Sequence, residues 1–222
     1  MSWFTRRANA ALAARVPAGG LRRFLSVDPP RRRTAIRQAP LLALDVETTG
    51  LDPRRDHLLS AGLVEVHGLQ IPLGSAREFL VDQGVEVGQS AVIHQLTDDA
   101  ISAEGVGLTE ALDQIFDALA GRVLLAHHAA IEQDFLRAAV RSVYGIEVTI
   151  PAVDTMQLGL RALGEEVRLP GDAARLWRLR ARAGLPTYRG HDALTDALAC
   201  AELYLALAQE LGLSTLGDAM RG

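Results

Sequence analysis

The chain has 222 residues, 49% of them hydrophobic, enough for one core of ordinary domain size. No apolar run approaches the ~20 residues needed to span a bilayer, and a single cysteine, Cys200, excludes both an internal disulfide framework and a cysteine-built zinc site. The net charge of −4 is uneven, because the segment before residue 41 carries one acid, Asp28, against a series of arginines, which leaves the remainder clearly acidic.

No lysine occurs anywhere, as a GC-rich bacterial coding bias would produce. Cys200 sits among Ala199, Ala201 and Leu203 and reads as a buried free thiol, which suits a reducing compartment. The expected location is therefore the bacterial cytoplasm. No oligomeric state is specified by the pattern.

Residues 1–40 read as an Arg-rich extension, with a boundary near Pro40, and residues 41–222 as the main domain. Three readings of the extension stay open. It has the composition of an organellar address. It would serve equally as a basic arm against a nucleic-acid backbone. Its Trp3 to Val16 stretch also reads as a helix packed on the domain, followed by a linker at Pro29-Pro30.

After Pro40, Leu41 to Leu44 form a short apolar run that predicts a buried central strand. Asp45 and Glu47 follow at i and i+2, so a strand points both carboxylates to one face. Paired carboxylates repel and resist burial. A divalent cation removes the conflict, and hard oxygen ligands suit Mg²⁺ or Mn²⁺. Thr48-Thr49-Gly50 can turn the chain and offer hydroxyls and backbone N–H groups to a phosphate.

Leu51-Asp52-Pro53 then turn. Leu58 to Val66 and Arg77 to Val81 read as second and third strands of an antiparallel meander. Thr97 predicts an N-cap for a short helix through Ile101. Thr109 predicts the cap of a helix from Glu110 to Ala120, ended by Gly121. Arg122 to Ala126 read as a fourth, buried strand, followed by a helix through Val143. A further helix is expected from Asp172, in an Arg-rich region spanning Glu165 to Pro186. The last long helix follows His191-Asp192 and runs to Leu211.

Three segments together resemble the DEDD 3′–5′ exonucleases, the DnaQ-like superfamily of the DNA polymerase III epsilon subunit. The first is Asp45-Val46-Glu47-Thr48-Thr49-Gly50-Leu51. The second, Ala126-His127-His128-Ala129-Ala130-Ile131-Glu132-Gln133-Asp134-Phe135-Leu136, is similar to the family's A-H-N-x-x-F-D-x-x-F-L. The third, His191-Asp192-Ala193-Leu194-Thr195-Asp196-Ala197, matches H-x-A-x-x-D-A. Asp154-Thr155 also resembles the family's D-T helix start, with Asp154 as a structural N-cap. The resemblance implies an α/β, ribonuclease H-like fold with a mixed central β-sheet flanked by helices.

The second segment departs from the family. His128 stands where Asn is usual, and Ile131 where Phe is usual. The family's third acid aligns with Glu132, while Asp134 keeps the residue type. At roughly 100° per residue, Ile131, Phe135, Leu136 and Ala139 mark the inward arc, and Glu132 falls within it. Asp134 falls beside Arg137 and Gln133. An acid on the buried side of a helix needs a reason, and one on the outer face does not. Glu132 is therefore favoured, with Asp134 as the alternative.

The resemblance implies a two-metal phosphodiesterase with Asp45, Glu47, Glu132 and Asp196 as ligands to two Mg²⁺ or Mn²⁺ ions. His191 is then the general base that deprotonates water, since an imidazole titrates near neutrality. Val46, Thr48, Thr49 and His94 would frame the terminal base and sugar, His94 lying in a segment similar to the family's H-G-I-T element. The expected reaction is 3′–5′ hydrolysis of single-stranded DNA to nucleoside 5′-monophosphates, with a polymerase or repair partner. Two alternatives stay open: an exoribonuclease of the oligoribonuclease or RNase T type, and a non-catalytic nucleic-acid-binding module on the same fold.

Overall fold

Strand β1 (Pro40–Thr48) is the centre of the molecule because Leu41 to Leu44 are apolar on both faces and need cover from two sides. The computed structural model describes residues 3–90, 94–164 and 172–221. Helices α1 (Trp3–Ala13) and α2 (Gly20–Ser26) precede β1. Then come β2 (Leu58–His67), β3 (Arg77–Asp82), α3 (Asp98–Glu104), β4 (Val106–Gly107), α4 (Leu108–Leu119), β5 (Val123–Ala126) and α5 (Ala130–Tyr144). The chain ends with β6 (Ala152–Asp154), α6 (Thr155–Leu163), α7 (Leu176–Arg182), α8 (Ala193–Glu210) and α9 (Leu216–Ala219).

The six strands form one mixed sheet in the order β4-β3-β2-β1-β5-β6. β1, β2 and β3 make the expected antiparallel meander, while β5 and β6 run parallel to β1. Leu42, Leu44 and Val46 point to one face, under α2, α4 and α5, with Phe116, Phe135 and Leu136 beneath them. Leu41 and Ala43 point to the other face, where Leu158 of α6, Leu179 of α7 and Tyr204 of α8 cover them. This mixed sheet with helices on both faces is a ribonuclease H-like architecture. Among the described residues no helix is long and apolar enough to cross a membrane.

Several boundaries differ from the sequence reading, each for a local reason. β1 continues through Asp45 and Glu47, as their i, i+2 placement on one strand face requires, because β2 pairs with it as far as Thr48, past a register shift between Glu47 and Thr48. Thr97 caps α3 through Ala100 N–H, but the helix runs on to Glu104. α4 begins at Leu108, not behind a Thr109 cap, since β4 pairs with β3 and leads directly into it. α7 begins at Leu176, because Asp172 makes a turn with Arg175 N–H and pairs its carboxylate with Arg178. Residues 165–171 of the Arg-rich region lie outside the described residues.

The N-terminal segment is joined to the sheet layer at several points. Leu21, Phe24 and Leu25 of α2 are buried against α4, with the Phe24 and Phe116 ring centroids 5.1 Å apart. Gly20 N–H donates to Asp113 Oδ1 at 2.6 Å. Ile36 N–H donates to Ser214 O, and Leu216 N–H to Thr34 O, both at 2.9 Å.

Candidate active site

The site lies at the carboxyl end of β1, where four separate stretches of chain meet. Asp45 and Glu47 stand on the same face of β1, opposite Gly62 and Ser60 of β2. The first turn of α8 crosses directly above. A Cβ on Gly62 would come within 2.2 Å of the Ala193 carbonyl, so only glycine lets the helix seat there. Ala193 and Ala197, both fully buried, keep that face of α8 slim. The alanines were readable as spacers; the glycine that completes the trough is visible only once the strand register is known.

α8 brings two functional side chains. Asp192 caps the helix by accepting from Thr195 N–H at 2.8 Å. His191, in the left-handed region at φ 67, donates its backbone N–H to Asp196 Oδ2 at 2.7 Å. The bend folds the His191 ring back over the helix start. Glu47, His191 and Asp196 thereby offer ligand atoms that all lie within 4.8 Å of one another.

The loop that delivers His191 is held from behind. Arg180 is 3% exposed and bonds Ala199 O at 2.7 Å, Pro186 O at 2.9 Å and the Glu202 carboxylate at 2.8 Å. Its guanidinium lies 4.4 Å from the Tyr188 ring centroid, and the Tyr188 hydroxyl donates to Glu202 at 2.9 Å. Within the Arg-rich region Arg180 is thus a buried brace rather than a surface cation.

The remaining carboxylate comes from α5. Glu132 is 3% exposed and lines the cleft, and its Oε2 has no hydrogen-bond partner. Asp134 is exposed and pairs with Arg137 at 3.0 Å. The turn into α5 places His128 at φ 68, with His128 and Ala129 N–H groups donating to the Asp154 carboxylate at 3.0 and 3.1 Å. Asp154 also caps α6 through Met156 N–H. One carboxylate thus ties two helix starts together. His127 shares a hydrogen bond with Thr155 at 2.9 Å, and its burial pushes the imidazole down to about 4, so it is neutral.

The acids are strongly perturbed. Burial holds Asp45 well above the usual carboxylate range, and the neighbouring charges of Glu132, Asp196 and Glu47 add to it. Burial, then Asp196, raises Glu47 to about 7. Burial raises Glu132 to about 8. Asp196 is raised for the same first reason. A cleft of about 630 Å³ exposes all of these groups, together with Val46, Thr48, Thr49, Leu51, His94 and His191. His94 is lowered by burial and by the nearby His191. Val92 and Ile93 of its segment lie outside the described residues.

Thr48 and Thr49 border the cleft, but their hydroxyls serve the loop itself. Thr48 Oγ1 donates to Gly50 O at 2.6 Å, and Thr49 Oγ1 donates to Asp56 and accepts from His57 N–H. The donor set fits divalent cations. Four carboxyl groups converge with no arginine bonded to any of them among the described residues, and Glu132 Oε2 is buried without a partner. A hard cation satisfies each of these.

Comparison with known proteins gives the chain's relatives and its family. The PolC-type DNA polymerase III of Thermotoga maritima is 28% identical over 184 residues, covering 81% of this chain and 13% of that protein. A DNA polymerase III epsilon-like protein of Rhodobacter capsulatus is 29% identical over 196 residues, covering 83% and 27%. The chain therefore spans a minor part of these relatives. E. coli exonuclease I in complex with a dT13 oligonucleotide shares the fold, with a TM-score of 0.65 at 16% identity over 79% of this chain and 42% of that one. The family model described as exonuclease (RNase T) matches residues 42–204, from the central strand to α8, and the chain belongs to that exonuclease family of hydrolytic nucleases.

Proposed function

We propose that the protein is a 3′–5′ exonuclease that hydrolyses the terminal phosphodiester of single-stranded DNA and releases nucleoside 5′-monophosphates. The observation that carries this reading is the convergence of Asp45, Glu47, Glu132, His191 and Asp196, from distant parts of the chain, in one cleft. Asp45, Glu47 and Asp196, with Glu132 completing the second position, would hold two Mg²⁺ or Mn²⁺ ions, which supply charge neutralisation and Lewis acidity at the scissile phosphate.

The chain's own residues do the rest. His191, exposed at the mouth and next to Glu47 and Asp196, takes the proton from the attacking water. Val46, Thr48 and Thr49 form the wall against which the terminal nucleotide lies, and His94 borders it from the other side. The dT13 oligonucleotide bound by E. coli exonuclease I supports single-stranded DNA as the substrate, and the PolC-type and epsilon-like relatives support a polymerase as the partner.

Product analysis tests the chemistry. Wild-type protein with Mn²⁺ is expected to release nucleoside 5′-monophosphates from a DNA oligonucleotide faster than from the RNA of the same sequence. Nucleoside 3′-monophosphates would overturn the mechanism, and a preference for RNA would assign the exoribonuclease reading instead.

A further inference from the structure

A second cavity, of about 400 Å³, lies on the far side of the loop that walls the catalytic cleft. Thr49, Gly50 and Leu51 face the cleft, while Arg54, Arg55 and His57 line the second cavity. Its floor is apolar, formed by Leu58 and Phe135, and Arg141, held by Glu147, stands at the α5 side.

The loop between the two spaces is braced. Asp56 accepts from Asp52 N–H at 2.8 Å and from Thr49 Oγ1 at 3.2 Å, and Thr49 N–H donates to His57 O at 3.0 Å. A Cβ on Gly50 would fall 2.5 Å from the Asp56 carboxylate, so the carboxylate packs directly on the loop backbone.

The arginines there stand out by having nothing to do. From residue 41 onward most described arginines are tied to a carboxylate or a carbonyl. Among the described residues the exceptions are Arg54, Arg55, Arg77, Arg175 and Arg189, all exposed. Arg54 and Arg55 are adjacent and both line this cavity. In an acidic protein, two adjacent free guanidinium groups at the rim of a cavity suit a ligand that carries phosphates.

We propose that this cavity is the subsite for the strand upstream of the scissile bond, where the exposed Arg54 and Arg55 hold backbone phosphates. The proposal rests on the nuclease reading of the neighbouring cleft. The braced loop then has two jobs, positioning the terminal nucleotide with one side and the following nucleotides with the other.

Binding of fluorescein-labelled dT12 to the full chain in Ca²⁺, followed by anisotropy, tests it without requiring cleavage. The double variant Arg54→Ala/Arg55→Ala is expected to weaken dT12 binding roughly tenfold. Two lost phosphate contacts on a single strand should also make the slope of log affinity against log salt shallower by about 1.4. Binding of thymidine 5′-monophosphate, which fills the terminal position alone, should be unchanged, and Arg54→Lys/Arg55→Lys should recover most of the loss. Unchanged dT12 affinity, or a loss seen only in Arg175→Ala/Arg189→Ala, would overturn the proposal. A protein that binds dT12 through Arg54 and Arg55 but never cleaves it would count against the catalytic reading alone.

Discussion

Four carboxylates in one cleft are stable only when protons or cations separate them. In the metal-free protein Glu47 keeps its proton to about pH 7 and Glu132 to about pH 8, whereas in the unfolded chain both lose it near 4.5. Between these limits the native state binds more protons than the unfolded state, so stability falls as pH rises from about 4.5 to about 8. Thermal unfolding in EDTA should show Tm declining across that window, and Mn²⁺ should raise Tm more at pH 8 than at pH 5. A flat profile would mean that the carboxylates are not crowded. Glu132→Gln should raise the metal-free Tm at pH 8 while lowering the rate, because the amide removes a buried charge and a ligand together. His191→Ala is expected to slow hydrolysis by about 10²–10⁴ with metal binding retained, measured by turnover and by metal titration. Much of this site was legible in the sequence: the i, i+2 acids of β1 and the helical phase of Glu132 both follow from local geometry. Gly62 and Ser60 were not, because only the antiparallel register places them opposite Asp45 and Glu47.

Two elements carry the site, and both can be tested without touching a reacting group. α8 rests on Gly62, and Gly62→Ala should lower stability by about 1–3 kcal/mol and reduce activity, since backbone must move to admit the methyl group. Denaturant unfolding and turnover measure the two effects, and an unaltered rate would show that the seating of α8 is not critical. The loop bearing His191 depends on Arg180, which links Ala199, Pro186 and Glu202. Arg180→Ala removes the cation beside Glu202, leaving it only the Tyr188 hydroxyl, and should cost about 3 kcal/mol. The longer helices were readable from apolar periodicity, whereas the short α2 and α9 were not expected, and starts were displaced where tertiary pairing intervened, as at Leu108, where β4 runs directly into α4. The role of Arg180 had no local signal, because its partners lie 6 to 22 residues away on the loop and on α8.

Across the whole molecule, the alternation of Leu41 and Ala43 against Leu42, Leu44 and Val46 builds a sheet that needs helices on both faces. That requirement, with three motifs in order along the chain, made the fold class readable before any contact was known. The attachment of the first 40 residues was less readable, because Arg-rich composition fits an address, an arm or a packed helix equally well. The clearest test of the whole account is degradation of a 5′-labelled single-stranded DNA oligonucleotide with Mn²⁺, beside EDTA and Asp196→Ala controls. The site described here predicts a ladder that shortens from the 3′ end in wild type and no shortening in either control. Release of the label from the 5′ end, or an equal ladder from the Asp196→Ala protein, would contradict it.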